Sequence, residues 1–132
     1  MPGVTLHFVL ADRALGAWRA HSTPPPFDLE DPAALNAFYH GAVGPDLGYF
    51  PGGVRLLSDL AHCVRTGALA RRLLATARTV RERAFAWGWL THFLADAAIH
   101  PIIGRGVGEL LTGCRDTFVD GSTDQLAHVR VE

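Results

Sequence analysis

Apolar residues recur along the chain at spacings of three and four. No stretch alternates convincingly with period two, so the pattern predicts helices and no sheet. Val4, Phe8, Ala11, Leu15 and Trp18 form one stripe and predict a first helix over Val4–Ala20, with Thr5 a candidate cap. Three prolines in HSTPPPFDLE then end helical order. Asp31 followed by Pro32 is a start signal, an N-cap acceptor and then a proline in the first turn. That second helix is expected to end near His40 and Gly41. The segment GAVGPDLGYFPGG reads as a shaped loop rather than a helix. A third helix is expected over 54–77, broken near Gly67. Thr79 and Glu82 form a capping box that opens a fourth helix, expected to stop at His100 because Pro101 follows. Residues 102–121 read as loop with a short helical piece. Ser122 and Gln125 make a second capping box, opening a last helix to Glu132. The fold class is all-α, a compact bundle of about five helices in one domain over residues 1–132.

The fourth helix carries the chemistry. From Trp87 to Ile99 it is apolar on nearly every side, as a central buried helix would be. His92, Asp96 and His100 nevertheless fall on one stripe, spread over about 80° at 100° per residue. A buried imidazole or carboxylate without a partner costs several kcal/mol, so three on one stripe need a common explanation. A buried hydrogen-bond network is one. Metal ligation is the other, and three groups in register favour it, since imidazole and carboxylate suit zinc. Gly88, one turn earlier, leaves room for another chain segment or a substrate. His128 and Glu132 repeat the i, i+4 spacing, a pattern that alone is more often a surface pair. His7 sits near a helix N-terminus, where the dipole disfavours imidazolium. His62 lies among Leu56, Leu57, Leu60 and Val64, where a lone histidine is usually a core residue. Asp46 lies between GP and LG, where an Asx-turn competes with a site role. His21 and His40 are expected to be exposed.

Composition narrows the function. The chain has 132 residues, 48% hydrophobic and 19% charged, with a net charge of −1. That is globular, and it argues against a basic nucleic-acid surface. Every basic residue other than histidine is arginine. No apolar run approaches the ~18 residues of a membrane span, and the opening reads poorly as a signal peptide, so the expected location is cytoplasmic. Cys63 and Cys114 form no Cys-x-x-Cys pair, which excludes a zinc ribbon or a thioredoxin-like site. No His-Asp dipeptide and no Glu-x-x-His pair occurs, which disfavours a His-Asp phosphohydrolase and a di-iron bundle.

The order of these residues resembles the zinc-dependent phospholipase C family, whose all-α fold and trinuclear zinc site are shared with single-strand nucleases. MPGVTLHFVLADRAL, GAVGPDLGYFPGG, LSDLAHCVRTG, AWGWLTHFLADAAIHP and the closing HVRVE carry the resemblance, over nearly the whole chain. It implies two to three zinc ions. One takes Asp46, His62, His92 and Asp96, a second His100, His128 and Glu132, and a third His7 and Asp96. It makes Asp96 a bridge between ions, and Asp46 both a ligand and the general base for a metal-activated water that attacks phosphorus. The chain departs from the family in the spacings around His100 and in stopping on Glu132, where members continue with further helices, so it is expected to be truncated. The implied substrate is a small-molecule or lipid phosphate ester. A nuclease is an alternative that the charge does not favour, with Tyr49, Phe50 and Phe27 as loop aromatics for stacking or for an apolar rim. A second class of function is a zinc-stabilised helical domain without catalysis. The apolar content also leaves room for a homo-oligomer.

Overall fold

The computed structural model describes residues 3–22 and 24–119. They form five α-helices and one 3-10 helix, with no strand among the described residues. The all-α expectation holds. Helix α1 (Val4–Ala20) has the expected bounds, but its N-cap is Gly3 and Thr5 caps nothing. It buries His7, Ala11 and Leu15, while Phe8 of the expected stripe is 40% exposed. Asp31 caps α2 (Pro32–Val43), accepting from the Ala33 N–H at 2.9 Å.

GAVGPDLGYFPGG is not a loop throughout. Helix α2 runs on to Val43, and Gly44–Tyr49 forms the 3-10 helix, with Pro45 in its first turn. Proline fits there because the first amides of a helix have no intrahelical acceptor. The expected third helix is two, α3 (Arg55–Cys63) and α4 (Thr66–Thr76). The break falls at Arg65, which takes a left-handed φ of 49°, and Gly67 is helical.

The long helix α5 (Val80–Thr112) opens with the expected capping box of Thr79 and Glu82. It does not stop at His100; it continues through Pro101 and ends at Gly113, whose φ is 71°. The proline removes one amide, but Pro101 and Ala97, the residue whose carbonyl loses its donor, both face solvent. Beyond it Ile103 and Val107 bury against Ile99 and Val119, which gives the extra turns a reason to persist. The chain then doubles back, and the Val119 N–H donates to the Gly104 carbonyl, one turn past His100.

Helix α5 packs against α1, α2, α4 and the 3-10 helix, as a central element should. It is less completely buried than its sequence implies, with Leu94 at 56% exposure. Its closest neighbour is α2. A Cβ on Gly88 would lie 2.0 Å from the Phe38 carbonyl oxygen, and one on Gly41 would lie 2.1 Å from that of Phe85. The room left by Gly88 is therefore filled by α2, and the crossing brings Ala42 beside His92. A core of Ala11, Leu15, Phe27, Leu29, Ala34, Phe38, Ala42 and Ala84 surrounds it, with Trp18 edge-on to Phe27, Phe38 and Trp87. Phe27 is buried at 6% exposure and cannot serve as a loop platform for a base.

The capping box gives a direct check. Replacing Thr79 by Ala removes the acceptor of the Glu82 N–H and should cost about 1 kcal/mol in urea unfolding, with no change in site chemistry.

Candidate metal centre

Four segments meet at one place. Helix α1 contributes His7, the 3-10 helix Asp46, α3 His62, and α5 His92, Asp96 and His100. The sequence-predicted His128 and Glu132 lie outside the described residues. His21 and His40 are exposed, as expected.

Each ligand candidate has a local reason for its place. His92 donates from Nδ1 to the Ala42 carbonyl at 2.8 Å, across the close α2–α5 crossing. His62 donates from Nδ1 to the Ser58 carbonyl one turn back, at 2.7 Å. The Ser58 hydroxyl accepts from the Gly48 N–H at 2.8 Å, and the Tyr49 hydroxyl donates to Asp59 at 3.0 Å. These two bonds tie the 3-10 helix to α3 and so set Asp46 against His62. Burial, then Asp59, push the Tyr49 phenol up to about 12, so it stays protonated as a donor. Ser58, Tyr49 and the Ala42 carbonyl were not foreseen; the i, i+4 spacing of Ser58 and His62 was the available signal.

With both Nδ1 atoms committed as donors, neutral rings present bare Nε2 lone pairs to each other, and these lie only 3.1 Å apart. A cation must sit between them, either a proton or a metal ion. One proton does not satisfy the rest. Among the described residues both nitrogens of His7, both carboxylate oxygens of Asp46 and Oδ1 of Asp96 are buried without a hydrogen-bond partner.

The separations also fit a metal ion. Asp96 Oδ2 lies 3.5 Å from His62 Nε2 and 3.4 Å from His92 Nε2. Its Oδ1 lies 3.4 Å from His7 Nε2 and 3.5 Å from His100 Nε2. Asp46 Oδ1 lies 3.2 Å from His62 Nε2, and its Oδ2 lies 3.6 Å from His7 Nε2. Ligand atoms ~2.0–2.2 Å from a tetrahedral zinc ion stand ~3.3–3.6 Å from one another. Two overlapping sets are close enough to hold an ion, His7 with His92 and Asp96, and Asp46 with His62 and His92. His92 has one free nitrogen for the two sets. The carboxylates, with an oxygen toward each side, are the natural shared members. The donation of each second ring nitrogen to a backbone carbonyl is the usual support of a ligating histidine.

Charge in the metal-free chain follows the same geometry. Burial, then the neighbouring His92, lower the His7 pKa from 6.5 to about 4. Burial opposes charge on His62, but Asp46, the Ser58 carbonyl and Asp96 outweigh it and raise its pKa. Burial alone would raise Asp96, yet the facing His100 and His92 imidazoles hold it well below the usual carboxylate range. Protons and a metal ion thus compete for the same atoms.

A stability prediction follows. Between about pH 6.5 and pH 4 the unfolded chain protonates His7 and the metal-free folded chain does not. Stability is therefore lost as pH falls through that window, by on the order of 3 kcal/mol. His62, with its raised pKa, acts in the opposite sense, and its contribution is lost as pH rises. Urea midpoints in chelator should fall from pH 6.5 to pH 4.5, and His7→Gln should flatten that slope. An unchanged slope would mean His7 is protonated in the folded chain.

The all-helical domain gathers imidazoles and carboxylates from four segments into groups that could hold a metal ion. The chain matches the zinc dependent phospholipase C family over residues 6–132, and it belongs to that family. Comparisons with curated proteins and with solved structures gave no match.

Proposed function

We propose that the protein is a zinc-dependent hydrolase of phosphate esters. The observation that carries this reading is the facing pair of His62 and His92 nitrogens, each with its other nitrogen committed, beside the unpaired oxygens of Asp46 and Asp96. Family membership supports zinc as the ion and a phosphoester as the substrate.

His62, His92, Asp46 Oδ1 and Asp96 Oδ2 would hold one ion. His7 and Asp96 Oδ1 would hold another, which leaves Asp46 Oδ2 unligated beside His7 as the basic oxygen. His100, with His128 and Glu132, would hold a third; Val119 returns the chain to within one turn of His100 along α5. A zinc ion held by these residues would supply a water acidified towards a pKa of ~7 and a Lewis acid for phosphoryl oxygen. Asp46 orients that water and takes its proton at a carboxylate oxygen. Asp96 fixes four imidazoles around one carboxylate. Ala42 and Ser58 hold the rings of His92 and His62 in the ligating tautomer.

Metal content of protein purified without chelator or affinity metal is the test. Two to three zinc ions per chain are expected by mass spectrometry. A folded chain that neither carries nor takes up zinc would sink the reading, and a single ion with no activity would point to a structural staple. Asp46→Asn should keep most of the metal and lose phosphodiester turnover at least 100-fold. Full activity in that variant would remove Asp46 as the base.

A further inference from the structure

Helix α3 is amphipathic in reverse. Its polar side faces inward: Ser58 is buried, and Asp59 and His62 are half-buried against the 3-10 helix and the metal centre. Its leucines face outward, with Leu56 and Leu57 each 63% exposed and Leu60 45% exposed. A helix on a soluble surface ordinarily does the opposite. Beside α3 and α4 runs an open apolar groove of about 960 Å³, whose lining includes Leu57, Leu60, Val64, Leu69, Arg65 and Arg72. Leu47 and Phe50 extend the exposed apolar surface from the neighbouring segment.

The charge around this surface is one-sided. Arg65 and Arg72 are the charged residues that line the groove, whereas Arg78, Arg81 and Glu82 line a separate one. The Glu82 carboxylate is occupied by the backbone N–H groups of Arg78 and Thr79. Among the described residues no acidic side chain lines the groove.

We propose that the α3–α4 corner docks on a lipid surface carrying anionic headgroups, with Leu56, Leu57 and Leu60 entering the interface and Arg65 and Arg72 meeting phosphates. Protruding leucines bordered by arginines are what such a surface recognises. Arginine stems lie along apolar surface while their heads reach the charge. No helix among the described residues is long and apolar enough to cross a membrane. The inference extends the proposed hydrolase reading. His62 lies on the opposite side of the same helix, so the lipid face stands about one helix diameter, ~10 Å, from the metal centre.

The test is flotation of the zinc-loaded full chain with vesicles of phosphatidylcholine alone or with half phosphatidylglycerol. Soluble phosphate released from the lipid is assayed in the same tubes. Binding at least tenfold stronger to the anionic vesicles is expected. The Leu56→Ser/Leu57→Ser double variant should lose at least tenfold with its thermal melt unchanged. Arg72→Gln should narrow the difference between the two vesicles. Should the double variant fail to fold, raising salt from 0.05 to 0.5 M on the unaltered chain must cut anionic binding at least tenfold. Absence of flotation, flotation indifferent to these changes, or a dimer in solution that the leucine variant dissolves would each overturn the proposal. Flotation without hydrolysis of the vesicles or of a soluble phosphodiester would leave it standing and overturn the hydrolase reading instead.

Discussion

Asp96→Ala is expected to strip zinc and abolish phosphoester hydrolysis together. Its two oxygens divide the cluster between them: one faces His62 and His92, the other His7 and His100, all at 3.4–3.5 Å. Removing it deletes a ligand from each side and leaves imidazoles crowded without an anion. Zinc affinity should fall by on the order of 100-fold or more, since loss of even a supporting partner costs 10–100-fold. Turnover should fall below detection. Asp96→Asn keeps one oxygen ligand and should retain part of the zinc. Competition with a chromogenic chelator reads the affinity, and circular dichroism in excess zinc reads the fold. If Asp96→Ala binds zinc as tightly as the parent chain, Asp96 is a hydrogen-bond anchor and the shared-carboxylate arrangement is wrong.

The second large effect comes from the helix crossing. Gly88→Ala should destabilise the chain by about 3 kcal/mol, at the upper end of the cost of overpacking. The new methyl would meet the Phe38 carbonyl oxygen at 2.0 Å and the Ala42 nitrogen at 2.8 Å, both backbone atoms that no rotamer change can clear. Helix propensity alone would make alanine better than glycine by about 1 kcal/mol, so the sign of the result is diagnostic. The melting temperature should drop by roughly 10 °C. Because α2 must move, the Ala42 carbonyl should leave His92, and zinc affinity should fall with stability. A melting temperature unchanged or raised would show that α2 and α5 do not approach so closely.

Much of this arrangement was legible in the chain. The bounds of α1, the Asp31 cap and the Thr79–Glu82 box depend on a few neighbouring residues, and local chemistry decided them. The His92–Asp96–His100 stripe was legible because helical period fixes direction. The misreadings arose where distant packing overrode local preference. Pro101 argued for a helix end, yet Ile103 and Val107 had a surface to bury against. Gly67 looked like a break, but the turn fell on Arg65, where glycine would ordinarily be expected. The 3-10 helix was hidden in a Gly/Pro-rich segment, because its order comes from Ser58 and Tyr49 bonds across to α3. The inverted face of α3 was invisible to a reading that assigns leucines to cores. His62 had seemed a core histidine among those leucines, whereas they point away from it.

The four-segment origin of the cluster also bears on how the chain is held shut. His7, Asp46, His62 and Asp96 are far apart in sequence, and the two cysteines, Cys63 and Cys114, are free and exposed. An ion gripping those ligands would act as a cross-link, closing loops whose closure entropy the unfolded chain would otherwise regain. Binding only to the folded form, it would add stability that rises with the logarithm of free zinc. The lifetime of the folded chain would then follow the zinc supply of its surroundings rather than their redox state.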